Sequence, residues 1–95
     1  MTYKDLQEAL QILRLEQRCS LKEIKARHRE LVKRHHPDTD NADGDAIRRI
    51  NAAHRTVLEY IADYRFSFSE AEFYEQNPDE RLRQQFMDTP MWGDR

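Results

Sequence analysis

The stretch SLKEIKARHRELVKRHHPD, residues 20–38, decides the fold. It opens on Ser20 with Glu23 three residues later, the S-x-x-E spacing of a helix capping box. Behind that start, Leu21, Ile24, His28 and Leu31, with Val32 and His35 at the margin, recur at helical spacing and line one face. The helix has to stop near His35. Pro37 disfavours helical geometry at His36 and has no backbone N–H to give. Six basic residues (Lys22, Lys25, Arg27, Arg29, Lys33, Arg34) stand against Glu23, Glu30 and Asp38, a net of +3 on a chain whose overall charge is −2.

Two more helices flank this one. Upstream, Leu6, Ala9, Leu10 and Leu13 form an apolar stripe from Thr2 to about Leu13, with Thr2 and Asp5 as a capping pair. Leu15 in the connector turns back toward the core. Downstream, "TDNADG" is turn material, and a third helix starts around Asp43 to Asp45, where acids complement the positive end of the helix dipole. Ile47, Ile50, Ala53, His54, Val57, Leu58 and Ile61 carry its period to about Ala62. "DYRFSFS" breaks the pattern. Ser69 to Glu72 repeats the capping-box form, and Pro78 takes the first position of a further short helix. "MDTPMWGDR" is a tail, frayed or docked through Trp92. The reading is all-α: an antiparallel hairpin of the second and third helices joined by the His-Pro-Asp loop, preceded by one helix and followed by short ones. The domain spans residues 1–65 and a C-terminal extension spans 66–95.

Ninety-five residues suffice for one small domain. With 38% hydrophobic and 36% charged residues, 2 Gly and 3 Pro, the core must come from amphipathic helices. No apolar run is long enough to span a membrane, and the first residues carry charge inside their apolar pattern, unlike a signal peptide. The single cysteine, Cys19, makes no internal disulfide and suits a reducing compartment. A cytoplasmic setting is expected. The charge is unevenly placed, since residues 63–95 hold eight acids against four bases. Such separation fits docking on an acidic surface, or two solvated faces of opposite sign.

Four chemistries compete for the polar residues. Zinc would use His28, His35, His36 and His54, but no C-x-x-C pair accompanies them, and His28 and His54 sit on apolar stripes as core residues of aromatic size. No metal is expected. "DTDNADGD" imitates a calcium loop, yet neither register works. With Gly44 sixth, the twelfth residue is Ile50; with Asp38 first, the glycine position holds Asp43 and the glutamate position Arg49. A basic helix before a turn and another helix has the outline of a DNA reader, but Asp38, Asp40, Asp43 and Asp45 would face the phosphates, which argues against nucleic acid. Catalysis finds no nucleophile with a base partner and no glycine-rich phosphate loop. The chain is not expected to be an enzyme, and no cofactor is implied.

The basic helix, the tripeptide His36-Pro37-Asp38 and the helix after it together resemble a J-domain, the helical co-chaperone module of the DnaJ family. "LQILRLEQRCSLKEIKARHRELVKRHHPD" is similar to that family's first two helices and loop, with Leu10, Leu13, Leu21, Ile24 and Leu31 at core positions. "IRRINAAHRTVL" is similar to the third helix, with Ile47, Ile50, Ala53 and His54 in place. The likeness covers about residues 6–62. His28 replaces a frequent tyrosine, Glu30 stands where a base is common, and Arg14 stands where glycine is usual. Within these residues the family's glycine/phenylalanine-rich linker, zinc module and client-binding domains are not found, so the likeness is to a minimal J-domain with its own C-terminal extension.

The resemblance implies a function: docking on a DnaK-class heat-shock chaperone and stimulation of its ATP hydrolysis. It assigns His36, Pro37 and Asp38 to the stimulating loop, and Lys22, Lys25, Arg29, Lys33 and Arg34 to the basic docking face. His35 falls where the family often packs an aromatic ring at the helix end. Residues 66–95 are expected to choose a client or a location; the alternative is that they pack on the third helix and complete a small core. The alternative reading is a J-like scaffold or DNA-contacting helical domain without ATPase-stimulating activity.

Overall fold

The computed structural model describes residues 1–36 and 44–88. They form α1 (Tyr3–Leu13), α2 (Leu21–Arg34), α3 (Gly44–Ala62), α4 (Glu70–Gln76) and α5 (Pro78–Asp88), with no strand among the described residues. The all-α reading therefore holds. The chain divides into two compact units, Met1–Tyr64 and Arg65–Arg95. Asp43, Trp92 and the loop after His36 lie outside the described residues.

Both expected capping boxes of the first unit are complete. Asp5 N–H donates to Thr2 Oγ1 at 3.1 Å while Thr2 N–H donates to Asp5 Oδ2 at 2.9 Å. Glu23 N–H donates to Ser20 Oγ at 3.1 Å and Ser20 N–H to Glu23 Oε1 at 2.7 Å. Each pair satisfies two of the amides that a helix start leaves without partners. The same bonds hold both carboxyls below their ordinary range, because a backbone N–H aimed at a carboxylate favours its charged form.

The exit from α1 is closed differently. Arg14 adopts left-handed geometry (φ 55°, ψ 44°). Its N–H donates to the Gln11 carbonyl at 3.1 Å and the Leu15 N–H to the Leu10 carbonyl at 2.9 Å. This pair of bonds is the Schellman closure, which favours glycine at the left-handed residue. Here an arginine occupies it, the single non-glycine residue of positive φ among the described residues. The turn folds Leu15 back, and both Leu15 and Leu10 pack on the core.

That core is a cluster of Ala9 and Leu13 from α1, Ile24 and Leu31 from α2, and Ile50, Ala53 and Val57 from α3. Leu13 is completely buried. Most of the helix–helix packing lies between α1 and α3, with α2 set against α3. His28, 6 residues before α2 ends, meets Asn51, 7 residues after α3 begins, as two antiparallel helices require. Cys19 lies half-buried against the same core.

Two details differ from the sequence pattern. Leu21, expected on the buried face, is 43% exposed. It is the first residue of α2, and a helical Cβ leans toward the N-terminus, so its side chain reaches past the packed length of the helix. On α3 the buried line runs Ala46, Ile50, Ala53, Val57. Ile47, His54, Leu58 and Ile61 are half-buried flanks. Ala46 is buried as well, one turn before Ile50, although the apolar pattern of the sequence starts at Ile47.

In the second unit α4 packs against α5. Ser69 caps α4, its Oγ accepting from Glu72 N–H at 3.1 Å, but the expected reciprocal bond does not form. Ser69 N–H donates to Ser67 Oγ at 3.3 Å instead, and the Glu72 carboxylate accepts from Gln76 Nε2 at 3.1 Å. Asn77 closes α4 by donating from Nδ2 to the Phe73 carbonyl at 2.8 Å, and its own carbonyl starts α5.

Candidate functional site

Successive residues of an α-helix advance about 100°. On that wheel Lys22, Lys25, Arg29 and Lys33 fall within about 80° of one another, on the side of α2 opposite buried Ile24 and Leu31. All four are exposed, as is His36 beyond the helix end. They form an uninterrupted basic stripe that runs toward the loop. Local physics favours bases at the end of this stripe, since Lys33 and Arg34 occupy the last turn, where the helix dipole is negative.

Arg34 is separate from the stripe. It lies about 100° round the helix from Lys33, and its Nη2 pairs with Glu30 Oε2 at 3.3 Å. Glu30 is held from its other side by Arg27 Nη1 at 3.0 Å. The acid that the sequence places among bases is thus flanked by two arginines along the edge of α2. Such exposed pairs are worth about 0–1 kcal/mol each; their effect here is on where charge is displayed.

The adjacent histidines part company at the helix end. His35 closes α2 with φ −110° and ψ 17°, its N–H donating to the Leu31 carbonyl at 3.1 Å. His35 is half-buried and His36 is exposed. Leaving the helix at His36 is what the steric demand of a following proline dictates. Pro37 and Asp38, the other two residues of the tripeptide, lie outside the described residues.

The remaining two histidines come together from opposite helices. The rings of His28 and His54 stack with centroids 3.8 Å apart and 5° between planes. His28 Nε2 lies 2.9 Å from Asn51 Oδ1. His54 Nε2 is shut off from solvent and has no hydrogen-bond partner among the described residues. Burial, then the charges of His28 and Lys25, disfavour the protonated form of His54. Spacing put both residues on apolar stripes; what it could not supply was the register that sets one ring on the other. No group of three or more His, Cys, Asp or Glu able to hold a metal ion occurs among the described residues, and none of their helices is long and apolar enough to cross a membrane.

Comparison with curated proteins and with solved structures finds no match for this chain. The DnaJ domain family model, by contrast, matches residues 3–60. That span begins at the first residue of α1, takes in the whole basic stripe and the His36 tripeptide, and ends two residues short of the end of α3. With α1, α2, nearly all of α3, the stripe and the tripeptide inside one family match that covers more than half of the chain, the chain belongs to the DnaJ domain family.

Proposed function

We propose that this protein is a J-domain co-chaperone that docks on a DnaK-class heat-shock chaperone and stimulates its ATP hydrolysis. DnaJ domains in general work with chaperones of that type. The observation that carries the finer reading is the exposed stripe Lys22, Lys25, Arg29, Lys33, running without an acid toward His36. Separated bases on a rigid helix steer an acidic partner and fix its register. A proline between His36 and Asp38 lowers the conformational entropy that the tripeptide would lose on docking. On this reading the protein performs no chemistry itself and works in the cytoplasm, and its partner's active site supplies the hydrolysis. Residues 66–95 serve client choice or targeting, outside the stimulating surface.

The test is steady-state ATP hydrolysis by a DnaK-class chaperone with and without the protein. His36→Gln is expected to abolish stimulation while leaving helicity and melting temperature nearly unchanged, because an exposed side chain at a helix exit contributes little packing. Asp38→Asn should behave likewise, since the contact needs the charge as well as the shape. Paired reversal of Lys25 and Arg29 to glutamate should weaken docking, whereas Arg34→Ala, already engaged by Glu30, should cost less. Affinity should fall with salt as the screening length shortens from about 10 Å at 0.1 M to about 3 Å at 1 M. Stimulation by His36→Gln at the wild-type level would sink the reading and leave a J-like scaffold in its place.

A further inference from the structure

We propose that His54 is a proton-operated latch on the α2–α3 hairpin: neutral, it holds the stack with His28 closed, and protonated, it opens it. Three observations converge on this. The rings are nearly parallel and 3.8 Å apart, closer than the 4.5–7 Å common for aromatic pairs. Asn51 Oδ1 can only accept, so the His28 nitrogen facing it at 2.9 Å carries a hydrogen and that ring is pinned to α3. His54 Nε2 is buried without an acceptor. A proton placed there would be an N–H with nothing to bond, enclosed beside another imidazole.

The charged groups around His54 all oppose its protonation. From α2 these are His28 and Lys25, both cationic when charged. On its own helix the residues one turn away are Ile50, Asn51, Val57 and Leu58, none of which titrates. From α1 the residues packed into the core are apolar: Leu6, Ala9, Leu10 and Leu13. No carboxylate is among the groups that act on the ring. Burial contributes most to the disfavouring of the cation, and the two α2 cations add to it.

The direction in pH follows from linkage. The unfolded chain takes up this proton near the ordinary histidine value of 6.5, and the folded chain only at lower pH. The latch therefore contributes its full stability above that value and loses it as pH falls below it. The effect is separate from acid loss of the two capping boxes, whose carboxyls titrate below their ordinary values of 3.8 for Asp5 and 4.5 for Glu23.

Thermal melts of the full chain at pH 7.5 and 5.5 test this, beside an NMR titration of the His54 ring. Wild-type protein should melt several degrees lower at pH 5.5. His54→Phe keeps a ring able to stack and removes the proton site, so its melting temperature should be level across the interval. The His54 ring signal of the wild type should titrate with a midpoint below 6.5. The proposal is overturned if His54→Phe shows the wild-type dependence, or if the His54 midpoint lies at or above 6.5. The ring titration is made on unsubstituted protein, so a midpoint at or above 6.5 overturns the proposal even if His54→Phe fails to fold.

Discussion

The two units of this chain are built from the same kind of helix and differ in what those helices bury. In Met1–Tyr64, three helices enclose Leu13, Ile24, Leu31, Ile50 and Val57. In Arg65–Arg95 none of the described residues is buried, and Phe66, Phe68, Phe73, Leu82, Phe86 and Met87 stay between 49% and 94% exposed. Both units have serine N-caps and acids in their first turns. Similar local start signals thus accompany very different packing. Capping decides where a helix begins; only an apolar face with a partner decides how firmly it stays.

The largest effect that would test this contrast is Leu13→Ala. Emptying a fully buried leucine site should cost about 3 kcal/mol in denaturant unfolding of the first unit. A loss below about 1 kcal/mol would mean that the α1–α3 contact is not where its stability lies. Next is Ser20→Ala, which removes one half of a capping box and should cost about 1 kcal/mol. Because Ser20 Oγ also helps hold the Glu23 carboxyl in its charged form, part of the wild-type advantage should fade as pH falls below 4.5, while the part from the Glu23 N–H to Ser20 Oγ bond, which has no titrating atom, remains. An unchanged advantage at pH 3 would show the serine acting alone.

Arg14→Gly should move stability the other way, raising it by about 0.5–1 kcal/mol. Glycine relieves the left-handed strain but gives back part of the gain as unfolded-state entropy. A loss would mean that the arginine side chain contributes more than its backbone costs. The smallest effect belongs to Phe86→Ala, expected within about 0.5 kcal/mol on the first unit's unfolding. A cost near that of Leu13→Ala would erase the distinction between the units.

Much of this arrangement was legible in the sequence, for reasons that can be named. Thr2–Asp5 and Ser20–Glu23 are contacts over three residues, so spacing alone predicts them, and both form in full. Pro37 stops α2 through a steric rule that needs no tertiary structure, and α2 ends at Arg34 as that rule requires. The basic stripe was visible as a set of bases, but its edge was not. The resemblance grouped Arg34 with the stripe, while the Arg27–Glu30–Arg34 pairing depends on rotamers that no pattern encodes. The His28–His54 stack joins residues 26 apart through the register of two helices, and that register is set by core packing elsewhere. The missed reciprocal cap at Ser69 has a local origin: Ser67, two residues before Ser69, and Gln76, four residues after Glu72, take the two groups, and competition is not written in an S-x-x-E match.

Cys19 turns one piece of this packing into an instrument. It is the chain's single sulfhydryl, and burial, followed by the charges of Glu23 and Glu16, keeps it protonated. Alkylating reagents attack the thiolate, so the native protein should react slowly and the unfolded chain fast. Under conditions where closing outpaces alkylation, the labelling rate counts how often the α1–α2 connector swings open. The chain carries its own clock for local opening, readable by mass spectrometry without substitution or dye.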